Sequence, residues 1–357
     1  MVPWTRNLIL VALATTLAAD EPLDKDPLDT LVRDAVARHR HAAPALVVGI
    51  AQGDQRRTWG FGALSAGGST PSHDTVYEVG SVSKAFTGMA LAILAREGRV
   101  SEVDPVARHL PARAARDAGP VGAIRLVELA THGSGLPRLP PQFVPRDMTD
   151  PYADFDEGEL YAALVRIAPS LAPTGRYEYS NLGAGLLGHL LARAAGVSYA
   201  ELVRTRIALP LRLVDTAVVL DVAQEARLAP PHDRGGERSR RWRLAALAGA
   251  GGVHSTAHDL LLLVCAHWRP DGDALADALR SAARARLVVP GSPLAVGLGW
   301  HAMLDRGWTW HNGQTGGYHA FVGMDLTRRR GVVVLANASD ERYTPLGFEL
   351  LARLSGQ

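Results

Sequence analysis

The sequence predicts an α/β protein of the α+β kind: one antiparallel sheet assembled from both chain ends, flanked by helices and interrupted by a large helical insertion. Three observations predict it. A β-branched run with a turn and a return strand lies near the start, and several strand-like segments crowd the end. The long stretch between them, roughly residues 81–286, alternates helical periodicity with Pro- and Gly-rich loops and holds no good run of strands.

Residues 1–20 carry one basic residue, Arg6, then an uncharged run over 8–17 and the small Ala18 and Ala19 before Asp20. That is the pattern of a secretory signal peptide, here 1–19. The run is too short to span a bilayer, and no cysteine follows it to carry a lipid. Leu31, Val32, Ala35 and Val36 give 28–39 helical spacing. Residues 45–51 form a strand ending in the turn Gly53-Asp54-Gln55, with 58–61 as the return strand. Val82, Phe86, Met89, Ile93 and Leu94 trace a helix that Gly98 ends; no residue over 85–95 is charged, so this helix is expected to be buried on most sides. A further helix covers 182–195 and Gly196 closes it. Residues 295–303, 308–311, 318–326 and 331–338 read as strands, and 346–354 as a closing helix. One domain is expected over 20–357, with a sheet subdomain at about 26–80 and 290–357 and a helical subdomain at about 81–289.

Composition narrows the function. Of the 357 residues, 47% are hydrophobic and 21% charged, which suits a chain with a full-sized core. The net charge of +2 offers no large field for nucleic acid or an anionic membrane, so neither is expected as a partner. The single cysteine, Cys265, excludes an intramolecular disulfide and a multi-thiolate zinc site, and reads as a small buried hydrophobe. Of the 38 basic residues only Lys25 and Lys84 are lysine. A lysine that survives where arginine is otherwise chosen marks a place that needs an amine able to lose its proton.

Lys84 is such a place. In Ser81-Val82-Ser83-Lys84 the two ends are three residues apart at a helix start, within hydrogen-bond reach. Burial disfavours the ammonium form, so Lys84 can accept the Ser81 hydroxyl proton, and the Ser81 N–H is placed for a developing oxyanion. The plain alternative is a serine cap beside a solvated lysine. In 173–181, ending Tyr179-Ser180-Asn181, Asn181 fits an N-cap; equally, Tyr179 fits a proton relay and Asn181 a contact for a substrate carbonyl and for the lysine. In His311-Asn312-Gly313-Gln314 the glycine lets a ligand lie against a strand, and the Gln314 N–H fits a second oxyanion donor; a Gly-rich hairpin with an incidental histidine is the alternative.

These segments, in this order, resemble the serine β-lactamase and penicillin-binding-protein family, particularly its class C β-lactamase and D,D-peptidase branch. Ser81 to Lys84 matches S-x-x-K, Tyr179-Ser180-Asn181 matches Y-x-N, and His311-Asn312-Gly313 stands where the family has K-T-G. The stretches 129–137, 251–259 and 296–300 also look like this family. The resemblance implies a β-lactamase/transpeptidase-like fold and a serine hydrolase working through an acyl-enzyme. Ser81 would be the nucleophile, Lys84 and Tyr179 the proton-transfer residues, Asn181 a substrate and lysine contact, and the Ser81 and Gln314 N–H groups the oxyanion hole. His311 and Asn312 depart from the family's usual residues at positions that contact the substrate carboxylate in β-lactamases. Such a histidine is expected to titrate near neutral pH and make that contact pH-dependent. The expected substrate is a β-lactam or related D-amino-acid amide. A carboxylesterase, a D,D-peptidase or D-aminopeptidase, and a slowly deacylating penicillin-binding protein are the alternatives. No cofactor and no metal are expected, and the protein is expected to act as a periplasmic or secreted monomer on a small-molecule or peptide substrate.

Three other motifs are set aside. His254 and His258 are four apart but lack the intervening glutamate of a zinc protease, and Thr256 with Asp259 reads as a helix capping box. Residues 63–67 approach a nucleophile elbow, yet a Gly/Ser/Pro-rich loop follows where a helix should begin. Arginines 234, 238, 240, 241 and 243 alternate with acids and glycines as a solvated loop does.

Overall fold

The structure, a computed structural model, describes residues 26–39, 44–65, 67–140, 143–168 and 175–357. The signal peptide expected at 1–19, and Pro173-Thr174 of the second motif, lie outside the described residues. Strand β1 (Ala45–Gln52) turns at Gly53, whose φ is +59°, into β2 (Gln55–Gly62). β3 (Tyr77–Glu78) and β4 (His254–Ser255) follow, then β5 (Leu287–Val288), β6 (Leu294–Val296), β7 (His301–Met303), β8 (Trp308–Gln314), β9 (His319–Asp325) and β10 (Arg330–Ala336). Eight strands form one sheet in the order β2-β1-β10-β9-β8-β7-β6-β5. β1 pairs antiparallel with β10, from Leu46 against Ala336 to Gln52 against Arg330, so the two chain ends join in one sheet as the sequence predicts.

The period-two alternation of β1 divides its side chains between two cores. Leu46, Val48 and Ile50 pack with Val32, Val36, Leu346 and Leu350 of the two terminal helices, Pro27–His39 and Tyr343–Ser355. Val47 and Ala51 join the larger core with Phe86, Met89, Leu261 and Val264. That second core surrounds the helix Ser83–Arg96, which a 3₁₀ turn (Gly80–Val82) leads into and in which every residue from Ser83 to Leu94 is buried. Uncharged over 85–95, it meets protein on all sides as far as Leu94, as expected. Gly98, at φ +69°, stands just beyond its end.

Several details differ from expectation. The segment 295–303 is two short strands rather than one. Gly297 N–H bonds back to the Trp300 carbonyl, and the turn lies so tightly on the helix that a Cβ at Gly88 would stand 1.9 Å from Leu298 O. The middle of the chain contributes β4, which pairs with β3 just before Ser81. Thr256 caps the helix Ala257–Ala266, but the capping box is half made: the Asp259 carboxylate accepts from Asp215 N–H and the Thr216 hydroxyl instead of reaching back. Cys265 is half-buried rather than buried, with Sγ 3.8 Å from the Gly53 carbonyl oxygen. The arginine loop behaves as read, Arg240, Arg241 and Arg243 pairing with Asp147, Glu225 and Asp150.

Candidate active site

Ser81 sits in the 3₁₀ turn between β3 and the central helix. The helix starts one turn later and brings Lys84 beneath it, with Nζ 3.0 Å from Ser81 Oγ and 2.7 Å from the Ala250 carbonyl oxygen. Lys84 is 1% exposed, and burial together with the Arg138 charge holds its amine well below its usual pKa. The lysine contact expected of Asn181 is thus taken by a backbone carbonyl that sequence reasoning missed.

Ser180, not Asn181, caps the helix Asn181–Ala195: its hydroxyl accepts the Gly183 N–H at 2.8 Å. The Asn181 side chain is therefore free to line the cavity, where its Oδ1 is buried without a partner. The Tyr179 hydroxyl faces Ser81, its ring centroid is 4.9 Å from Lys84 Nζ, and burial raises its pKa. His132, absent from the sequence-derived site, fixes this segment. Its carbonyl accepts the Glu178 N–H at 2.7 Å, its Nδ1 accepts the Ser180 N–H at 3.2 Å, and its ring lies 4.5 Å from that of Tyr179. To do both it adopts a left-handed backbone, φ +59°, which costs a non-glycine residue free energy and marks a built feature.

On β8 the pleat separates neighbours. Gly313 presses its backbone against the Ser81 turn: a Cβ there would stand 2.0 Å from Val79 O and 2.7 Å from Ser81 N. Gly80, at φ +49°, makes the reciprocal approach: a Cβ there would stand 2.7 Å from Gln314 N. Two glycines thereby bring the Ser81 turn and the Gln314 backbone side by side. Asn312 lines the cavity and donates to Thr344 Oγ1 at 3.0 Å; the Gln314 amide donates to Ser339 Oγ at 2.9 Å.

His311 departs from expectation. It is 1% exposed, its Nδ1 lies 2.5 Å from the Asn312 carbonyl oxygen, and its ring centroid lies 4.8 Å from that of His301, which in turn meets the Tyr177 hydroxyl at 3.1 Å. Burial, then the neighbouring His301 and Lys84, push its pKa well below 6.5. The titration near neutral pH expected from the sequence is therefore corrected: the imidazole is neutral and lies beneath the cavity rather than in its lining. The cavity itself is about 520 Å³, and Ser81, Tyr179, Asn181, Asn312, Gly313 and Gln314 all meet in it. The sequence reading missed Arg138, Trp242 and His301 of its lining. Arg138 and His301 each directly follow a stretch, 129–137 and 296–300, that looks like the family, and that adjacency is the available signal. Among the described residues no cluster of three or more His, Cys, Asp or Glu could hold a metal.

A serine paired with a buried lysine at the floor of a polar cavity, on an antiparallel sheet built from both chain ends, is the equipment of an acyl-transferring serine enzyme. Comparison with known proteins agrees. A D-alanyl-D-alanine-carboxypeptidase/endopeptidase AmpH of Escherichia coli K12 is 27% identical over 93% of this chain and 90% of its own length. A beta-lactamase of Pseudomonas fluorescens is 26% identical over 82% of this chain and 88% of its own. The crystal structure of a class C beta-lactamase from Rhodobacter sphaeroides superposes with a TM-score of 0.75 at 25% identity, covering 92% of this chain and 99% of that one. The chain is a serine hydrolase. It belongs to the beta-lactamase family, whose model matches residues 28–354.

Proposed function

We propose that the protein opens β-lactams or cleaves related D-amino-acid amides through an acyl-enzyme on Ser81. The single observation that carries this is the 3.0 Å contact between Ser81 Oγ and the Nζ of a lysine held 1% exposed. Ser81 Oγ attacks the substrate carbonyl carbon while neutral Lys84 takes its proton. The Ser81 and Gln314 N–H groups receive the oxyanion. Lys84 passes the proton through the Tyr179 hydroxyl to the leaving nitrogen as the C–N bond breaks, which leaves an ester on Ser81. Water then attacks that ester, giving its proton to the same pair, and the hydroxyl is restored. Asn181, with Oδ1 unpartnered at the cavity wall, accepts an amide N–H of the substrate. The names of the relatives support both substrate classes. Among the described residues no helix is long and apolar enough to cross a membrane, and periplasmic or secreted location is part of the proposal.

Intact-protein mass spectra recorded over time with benzylpenicillin, alongside the drug itself, test the reading. A persistent adduct on Ser81 identifies a slowly deacylating peptidase or sensor, and hydrolysed drug without an adduct identifies a β-lactamase. The Ser81→Ala variant should give neither signal. If the wild-type protein gives neither while cleaving p-nitrophenyl esters at Ser81, the substrate assignment fails and the esterase alternative stands.

A further inference from the structure

The cavity over Ser81 has two charged side chains in its lining, Arg138 and Glu341, and neither makes an ion pair among the described residues. Any anion entering this space meets their opposed fields. Glu341 lies two residues after Ser339, whose hydroxyl accepts the Gln314 amide where the third motif ends, and repels an anion there. Lys84 is buried below the floor and His311 is neutral and buried beneath the wall, so neither presents a cation to the cavity.

Arg138 does. Its guanidinium carbon is 5.2 Å from the Tyr179 ring centroid, and that same ring is 4.9 Å from Lys84 Nζ. The residue is tied to the site by its backbone as well, its carbonyl accepting the Asn181 N–H at 3.0 Å and the Leu182 N–H at 3.2 Å. Stacking on an aromatic face leaves the guanidinium's edge N–H donors available in a fork that matches a carboxylate. Its field also reaches the reaction centre, where it adds to burial in lowering the Lys84 amine's proton affinity.

We infer that Arg138 is the specificity-determining contact for the carboxylate of an anionic substrate, which it holds over Tyr179. This rests on the proposed acyl-enzyme chemistry and names the substrate charge that the site selects. It moves anion recognition off the third motif, where this chain has a buried histidine and an adjacent acid, onto the loop before the Asn181–Ala195 helix.

Benzylpenicillin and its methyl ester, the same molecule without the negative charge, provide the test. Acylation rates are measured for both with the wild-type protein, Arg138→Lys and Arg138→Gln. The wild type should prefer the free acid by about tenfold or more, Arg138→Gln should lose most of that preference, and Arg138→Lys should keep part of it, because an ammonium restores charge but not the fork. A preference left intact in Arg138→Gln, or rates that fall equally for both compounds, would overturn the inference; an equal fall would assign Arg138 to Lys84 alone. Calorimetric titration of the free acid into Ser81→Ala with and without Arg138→Gln is a second measurement, independent of catalysis. About tenfold weaker binding in the double variant supports the carboxylate contact, and equal binding refutes it. If the wild type is acylated by neither compound, the proposed chemistry at Ser81 fails, while this titration still decides the role of Arg138.

Discussion

Gly313 stands so close to Ser81 that a single added methyl would reach within 2.7 Å of the Ser81 backbone nitrogen and 2.0 Å of the Val79 carbonyl oxygen. Both obstacles are backbone, so no side chain can swing away to make room. Gly313→Ala must therefore push β8 off the turn that carries the serine, separating the Ser81 and Gln314 N–H groups. Losing one oxyanion donor costs about 10²–10³ in rate, and acylation by benzylpenicillin should fall by at least about 10²-fold. Overpacking of this kind costs folding stability as well, about 1–3 kcal/mol. Urea unfolding and acylation kinetics on the same preparation check both, and near-normal acylation would remove Gln314 from the proposed oxyanion hole.

That glycine is legible in the sequence as a close approach to a strand, although the neighbour read there was a ligand and the structure places the Ser81 turn; Ser81 and Lys84 are legible because a spacing of three on a helix dictates contact. The strands from both ends are legible for a similar reason: β-branched alternation is a local signal. What stays hidden is set by tertiary contact. The Ala250 carbonyl that holds Lys84 comes from 166 positions away and has no side-chain signature. His132 lies within a family-like stretch, yet nothing in its sequence neighbours announces a left-handed histidine whose ring and carbonyl hold residues near 180. The state of His311 is not legible because a position on a strand does not say which face is covered; here His301 and the strand's own carbonyl enclose it.

Lys84→Arg separates charge from proton affinity. Arginine places a permanent cation near Ser81 and the Ala250 carbonyl and cannot lose its proton at any accessible pH, and it is longer than the 1%-exposed space allows. General-base catalysis contributes about 10²–10⁴-fold, and the acylation rate should fall by at least that much. Stopped-flow or quenched mass spectrometry with benzylpenicillin measures it. A rate within about threefold of wild type would rule out Lys84 as the base.

Five histidines, 132, 267, 301, 311 and 319, are at most 5% exposed. Burial lowers all of them from 6.5, to about 4 for His267, His301 and His319, with His132 and His311 also well below. Between pH 6.5 and 4 the unfolded chain therefore binds more protons than the native one, so stability is present above pH 6.5 and is lost as pH falls below it. Buried Glu78 and Asp259, whose carboxyls are raised, act in the opposite sense but are fewer. The net loss between pH 7 and pH 5 should be on the order of 5 kcal/mol, read as a lower urea midpoint. Equal midpoints at the two pH values would mean that the imidazoles are not held neutral.

Glu78 offers the converse case, one carboxyl three residues before the serine. It is 2% exposed, accepts the Trp242 N–H at 3.0 Å and faces the Thr315 hydroxyl, so it joins β3, the Trp242 wall and the end of β8 around the cavity. Burial raises it from 4.5 to about 7 against the lowering pull of Thr315, Trp242 and Arg241, with Asp150 adding to the rise. A folded-state value above the unfolded one stabilises the native state fully below pH 4.5, and that contribution is lost as pH rises through 7. Glutamine copies the protonated acid and does not titrate. Glu78→Gln should therefore unfold at a lower or equal temperature than wild type at pH 5 and gain on it up to about pH 7, then hold that gain to pH 8. The relative gain should be on the order of 3 kcal/mol, accumulating at about 1.4 kcal/mol per pH unit between pH 5 and 7 and level above that. Thermal melts of both proteins at pH 5, 6, 7 and 8 measure the difference. A gap between them that does not change with pH would mean that Glu78 stays ionised in the folded protein, with its second oxygen satisfied by Thr315 rather than by a proton.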